Sequence, residues 1–329
     1  MQTFAYERAS ALADAIPAAA QPGTMVIAGG TELLNWMKDG IVAPGRLIDL
    51  NDLSGLDQID AGDHGLRIGA LARMSDVAGH PVVRRDYPAL SQALLSSASP
   101  QVRNMASIAG NLLQRTRCPY FRAEIEVACN KRHPGSGCAA LDGEDRFAAI
   151  FGWSERCIAT HPSDLAVALV VLDAIVHVAG PGGARQIPVG DLYRLPGDTP
   201  QHETVLGVGE LITEIEVPAS TLARQSHYLK LRERASYEFA LVSAAVAMDL
   251  DGPDVCAARI ALGGVAPKPW RLGDAEVALR GISLEDEPAL RRVLDAGFGD
   301  ARPRRHNGFK IELAKRAVIR ALQNVGGVA

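Results

Sequence analysis

Hydrophobic positions alternate between helical and strand spacing over the first third of the chain, lose both in a polar loop, and recover them beyond it. In ERASALADAI the apolar residues recur at helical spacing and predict a short amphipathic helix. Met25–Ile27 predicts an apolar strand and Gly29–Gly30 a tight turn. Thr31 is the expected N-cap of a helix over Glu32–Lys38, closed by Gly40. RLIDLNDL reads as a buried strand and LRIGALA as another. One long helix is expected over MSDVAGHPVVRRDYPALSQALLSSA, followed by the turn-rich SPQVRNMASIAGNLLQ. From about 116 to 158 periodicity gives way to a polar loop, after which HPSDLAVALVVLDAIVHV predicts a helix running into a strand. Beyond about residue 222, HYLKLRERA, FALVSAAVAMDL and AARIALGGVAP read as antiparallel strands, and DEPALRRVLDAGF and FKIELAKRAVIRALQNV as two closing helices. Three parts are therefore expected: 1–60, 61–220 with an insertion at about 116–158, and 221–329.

Composition narrows the class. Hydrophobic residues at 47% and charged residues at 22% are those of an ordinary globular protein. A net charge of −4 recommends no nucleic-acid partner, and 5% aromatic residues provide no base-stacking platform. No apolar run approaches the ~18 residues of a membrane span. MQTFAYERAS lacks the basic and apolar regions of a secretory signal, so export by its own signal is not expected.

The cysteines carry the first chemical signal. Cys118, Cys129, Cys138 and Cys157 fall within 40 residues, and Cys256 lies far downstream. Ten, eight and eighteen residues separate the four in turn, so the short paired spacing of a structural zinc site is missing. Loop folding has to gather such thiols, which suits a cubane better than a zinc knuckle. Lys131, Arg132 and Arg122 would offset the cluster's negative charge. Two disulfides, or four ordinary thiols, form the bland alternative, although disulfide scaffolds are typical of much smaller secreted domains.

Three small-residue elements carry the second signal. The strand–Gly29–Gly30–Thr31–helix unit exposes backbone N–H groups where a phosphate could sit. Ser107-Ile-Ala-Gly-Asn111 is another such turn, and Asn111 offers both a donor and an acceptor. His161-Pro-Ser-Asp164 opens a helix, with Asp164 either a ribose acceptor or an ordinary first-turn acid. Each element alone is more often conformational than functional. The eight histidines are scattered, and no catalytic triad or metal-plus-Glu motif is present.

In order along the chain, these elements resemble a known family. VIAGGTELL is similar to the first FAD loop of the molybdenum hydroxylase flavoprotein subunits, the group containing the middle subunit of carbon monoxide dehydrogenase and the FAD domain of xanthine dehydrogenase. ASIAGNL resembles their second motif, with Ala109 in place of a glycine, and HPSDLAVALVVLDA the third. IALGGVAPKPWR and KLRERASYEFALVSAAV resemble their C-terminal domain. The cysteine insertion between the second and third motifs looks like the 4Fe–4S loop of the flavoprotein subunits of periplasmic-type aldehyde oxidoreductases. 4-Hydroxybenzoyl-CoA reductases have a comparable loop.

The resemblance implies an α+β fold, with a vanillyl-alcohol-oxidase-type FAD-binding domain of two α/β subdomains and a C-terminal antiparallel sheet with helices. It implies FAD held by the backbone of Ile27, Ala28, Gly29, Gly30, Thr31, Glu32, Leu33 and Leu34. Ser107, Gly110 and Asn111 would line the cleft, and Thr160 and Asp164 would meet sugar or phosphates. Ile212, within Gly209–Ile212, would cover the isoalloxazine and Lys230 would reach its edge. Cys118, Cys129, Cys138 and Cys157 become ligands of one 4Fe–4S cluster, leaving Cys256 as an expected core thiol. The implied role is electron transfer in a heterotrimeric aldehyde oxidoreductase, with a large molybdenum-cofactor subunit, a small 2Fe–2S subunit and an external electron acceptor. Residence would be cytoplasmic, or periplasmic by co-export with a partner bearing a twin-arginine signal. A reductase-like or xanthine-dehydrogenase-like complex, a stand-alone FAD oxidoreductase with a structural metal loop, and a non-enzymatic assembly protein are the alternatives.

Overall fold

The computed structural model describes residues 2–328. Three sheets, each with its own core, organise them. β1 (Ala5–Arg8), α1 (Leu12–Ala19), β2 (Thr24–Ile27), α2 (Leu33–Lys38) and β3 (Arg46–Asp49) give a parallel sheet of order β1-β3-β2. Leu47 and Ile48 of β3 are buried on opposite faces, one in the cluster with Trp36 and the other in the cluster with Ala15. That two-sided burial is typical of a parallel strand.

The second sheet begins with the hairpin of β4 (Ile59–Gly62) and β5 (Gly65–Gly69). The chain then leaves through α3 (Met74–Gly79), α4 (Pro81–Asp86), α5 (Pro88–Ser96), α6 (Pro100–Arg103) and α7 (Ile108–Leu112). It crosses the cysteine segment and returns through α8 (Asp164–Val171), β6 (Ile175–Gly180), β7 (Gly183–Pro188), α9 (Val189–Leu192) and β8 (Leu211–Pro218). The sheet is antiparallel, of order β4-β5-β8-β6-β7. The third sheet, β9 (Ser226–Leu231), β10 (Val242–Asp251), β11 (Asp254–Gly263) and β12 (Trp270–Arg271), is antiparallel with order β12-β11-β10-β9. α10 (Gly273–Ala278), α11 (Glu287–Gly297) and α12 (Phe309–Gly326) complete the chain, with α12 packed on β9 and β10. Every residue of α8 is buried, because the helix is sandwiched between α5 and strands β10 and β11. A continuous apolar run such as LAVALVV suits such a place.

Four expectations change. The long helix after β5 is three short ones. Pro81 and Pro88 each occupy a first helical turn, and the preceding His80 (ψ 127°) and Tyr87 (ψ 54°) leave the helical region. Thr31 does not cap α2: Glu32 stands at that position and no side chain caps the helix. RLIDLNDL is strand only over Arg46–Asp49. Cys256 is exposed rather than in the core, because it points outward on β11 next to the buried Val255. Among the described residues no helix is long and apolar enough to cross a membrane.

Candidate cofactor cleft and cysteine centre

The β2–α2 loop, the turn into α7, the first turn of α8, Gly209–Ile212 and Lys230 surround a cavity of about 700 Å³. Among the expected cofactor residues, Ile27, Ala28, Gly29, Gly30, Thr31, Glu32, Leu33, Ser107, Gly110, Asn111, Asp164, Ile212 and Lys230 line it. Leu34 and Thr160 do not. Leu34 packs with the Trp36 cluster, and Thr160 lies on two smaller neighbouring cavities with its hydroxyl towards the carbonyl of Phe147.

The cavity suits a dinucleotide's pyrophosphate at one wall. Among the described residues, the N–H groups of Gly29, Gly30, Thr31 and Glu32 have no protein acceptor. Four consecutive free donors on a loop that includes a left-handed glycine (Gly30, φ 70°) form an anion-binding concavity. Gly29 has a separate reason to lack a side chain. A Cβ there would lie 1.8 Å from the carbonyl oxygen of Met105, so the first loop rests directly on the turn that leads into α7. Arg73 stitches that contact, donating to the carbonyl of Met105 and to Asn51 Oδ1 at 2.9 Å. Asn51 in turn donates to the carbonyl of Ala28 at 3.1 Å. Arg73 and Asn51 stand outside every motif and carry no signal of their own in the sequence.

Several motif side chains are committed to the protein itself. Ser107 Oγ caps α7 by accepting from the N–H of Gly110, and Asn111 Oδ1 accepts from Ser163 Oγ at 2.7 Å. Ser163 caps α8, which leaves Asp164 in its first turn. The Asp164 carboxylate is buried and accepts from Ser97 Oγ (2.7 Å), Lys230 Nζ (2.7 Å) and the Tyr228 hydroxyl. Burial, and then the neighbouring Asp164, hold the Tyr228 hydroxyl well above its ordinary pKa, so it stays a donor. Asp164 therefore fixes Lys230 at the cavity wall. Neither Ser97 nor Tyr228 carried a sequence signal.

The four expected ligand cysteines converge. Cys118, Cys129, Cys138 and Cys157 line a single small cavity, and none of the five cysteines forms a disulfide. Cys129 and Cys138 face each other across an antiparallel bridge, and Asn130 Oδ1 accepts from the N–H groups of Gly135 and Gly137 to shape the turn between them. A tetrahedral zinc with Zn–S bonds of about 2.3 Å brings its sulfurs to ~3.8 Å from one another. Among the described residues no three of these sulfurs lie within 4.8 Å of one another. Burial pushes the Cys118 thiol up to about 11 and the Cys157 thiol up to about 12, so a centre that binds here must displace protons.

The cysteine segment is anchored at two places. Glu32 of the first loop accepts two 2.7 Å bonds from Arg117 and a third from Arg122. Between Cys138 and Cys157, Asp145, fully buried, accepts from the backbone N–H of Arg305 and of His306 at 3.1 and 3.0 Å. Asn307 and Lys310 donate to the carbonyls of Ala148 and its neighbours, and Trp153 and Arg302 exchange bonds. Cys118 also lines a cavity of about 190 Å³ that shares Arg117, Asp164 and Phe239 with the large one. It is the cysteine turned towards the cofactor cleft.

Comparison with known proteins agrees with this geometry. Residues 2–220 match the family described as the FAD binding domain in molybdopterin dehydrogenase, and residues 227–325 the CO dehydrogenase flavoprotein C-terminal domain. The chain is 50% identical to the aldehyde oxidoreductase FAD-binding subunit PaoB of Escherichia coli, with 98% of each chain covered. It is 26% identical to the glyceraldehyde dehydrogenase medium chain of Sulfolobus acidocaldarius, again over 98% of each. The fold is similar to that of a chain in the Cu,Mo-CO dehydrogenase crystal structure, with a TM-score of 0.77, 24% identity and 100% and 99% coverage. Quinoline 2-oxidoreductase from Pseudomonas putida gives a TM-score of 0.76 at 23% identity, with 99% and 98% coverage. The chain thus belongs to the molybdenum hydroxylase family, as an FAD-binding medium subunit of its oxidoreductase complexes.

Proposed function

We propose that this chain is the FAD- and 4Fe–4S-carrying electron-transfer subunit of a heterotrimeric, molybdenum-dependent aldehyde oxidoreductase. Its partners would be a large subunit that oxidises the aldehyde and a small 2Fe–2S subunit that delivers electrons, with an external acceptor receiving them. The observation that carries this reading is the position of the four-cysteine cavity beside the cofactor cleft, with Cys118 between the two. The aldehyde assignment leans on the 50% identity to a subunit of that name.

When bound, FAD supplies exchange between one-electron carriers and a two-electron acceptor, and the cluster supplies a one-electron relay. The protein's own part is positional. The free N–H groups of Gly29–Glu32 would hold the pyrophosphate and Ile212 and Lys230 would meet the flavin, with Asp164 keeping Lys230 in place. Cys118, Cys129, Cys138 and Cys157 provide the thiolates. The three sheets are read as the cores of three units divided near residues 60 and 220.

The test is reconstitution. The purified chain should show no aldehyde oxidation by itself. Activity should appear on adding a molybdenum-bearing large subunit and a 2Fe–2S small subunit. Robust, molybdenum-free aldehyde oxidation by the single chain would overturn the proposal in favour of a stand-alone flavoenzyme.

A further inference from the structure

Two charged residues line the four-cysteine cavity, Lys131 and Arg156; Arg156 is exposed, whereas the Lys131 side chain is largely covered. That side chain retains 8% of its exposure. Lys131 Nζ lies 2.6 Å from Glu203 Oε1 and 3.0 Å from the carbonyl of Pro200. Glu203 comes from the segment between α9 and β8, far from the cysteines in sequence, and its other oxygen accepts from Arg115 Nε. Burial alone would raise the Glu203 carboxyl, but Lys131 and Arg115 outweigh it and hold the group below its ordinary value. Lys131 therefore brings its positive charge to the wall of the cavity that Cys157 also lines, while Arg115, outside that wall, shares the same carboxylate.

Such an arrangement is poorly explained as a stabilising device. Burying an ammonium group costs several kcal/mol, and an apolar side chain of similar length would fill the same space without that penalty. A fixed cation against a thiolate-ligated centre has a direct electrostatic consequence instead. Reduction adds a negative charge to the centre, and a neighbouring cation in a low-dielectric wall favours the reduced form over the oxidised one.

We propose that Lys131, anchored by Glu203, is the built-in positive charge that raises the reduction potential of the cluster. The inference rests on the reading of the four cysteines as cluster ligands. It is tested in the complete complex, prepared anaerobically, by redox titration followed by low-temperature EPR, with iron and FAD counted in the same samples. Lys131→Met is expected to keep its iron and to shift the cluster midpoint to more negative potential. Lys131→Arg, which retains the charge, is expected to stay at the native midpoint. Lys131→Gln, which can still donate to Pro200, repeats the comparison should the methionine variant lose iron. An unshifted midpoint in an iron-replete neutral variant overturns the inference alone, as does an arginine variant displaced as far as the neutral ones. Native protein without iron overturns the cluster reading itself, and this inference with it.

Discussion

Gly29→Ala is the sharpest small perturbation of the cofactor cleft. The added methyl would meet Met105 O at 1.8 Å, the Met105 carbonyl carbon at 2.7 Å and Ala106 Cα at 3.2 Å. Ordinary contact begins near 3.4 Å, so the two loops must part by roughly 1.5 Å, an overpacking displacement typically costing about 1–3 kcal/mol. Neither loop can yield freely. Arg73 holds Met105 from one side, and Asn51 holds Ala28 from the other. If FAD requires the native spacing, that cost is subtracted from binding, and each 1.4 kcal/mol is tenfold, giving roughly 5- to 150-fold weaker affinity. The assay is titration of deflavinated protein with FAD, followed by quenching of flavin fluorescence. Gly182→Ala, whose methyl would meet nothing within 4 Å, is the matched control and should bind normally. Gly29→Ala protein binding FAD within twofold of native would refute the reasoning, and the pyrophosphate would then lie elsewhere.

Lys230→Met leaves a buried Asp164 carboxylate with only Ser97 and Tyr228, a loss of ~3–5 kcal/mol in urea unfolding together with reduced FAD content; a change under ~1 kcal/mol would contradict it. Burial lowers the His161 pKa to about 4, whereas the unfolded chain titrates near its ordinary ~6.5. Between those values the unfolded state binds the extra proton, so stability rises with pH from about 4 to 6.5 and is lost on acidification, by on the order of 3 kcal/mol; His161→Phe should flatten that part of the profile, and an unchanged slope would discard the assignment. Asp145→Ala strips the acceptor from the backbone N–H groups of Arg305 and His306, which hold the cysteine segment between Cys138 and Cys157. A destabilisation of ~3 kcal/mol is expected, with iron lost and FAD retained, whereas full iron content would show that this anchor does not support the centre.

The parts of this fold legible in the sequence were those written in local periodicity. The apolar β2, the all-apolar α8, the long β10 and β11 and the amphipathic α11 and α12 each carry their own signal. The helices after β5 carried a misleading one, because the apolar pattern runs through Pro81 and Pro88 without pause. Within the site, glycines and cysteines were conspicuous because few other roles require them. The residues that hold them were not. Arg73, Asn51, Ser97, Tyr228 and Glu203 act through partners tens of residues away, and only tertiary structure brings those pairs together. The Gly29 result illustrates the difference: the need for glycine was visible, but its cause, a neighbouring carbonyl rather than a ligand alone, was not.

Metal and flavin analysis of the anaerobically purified chain, with EPR of its reduced form, tests the four-cysteine centre most directly. One FAD and about four irons per chain are expected, as four-thiolate ligation of a cubane requires, with the iron unaffected by Cys256→Ser and lost on serine substitution of Cys118, Cys129, Cys138 or Cys157. Stoichiometric zinc in place of iron, or a flavoprotein carrying no metal in that cavity, would contradict this expectation.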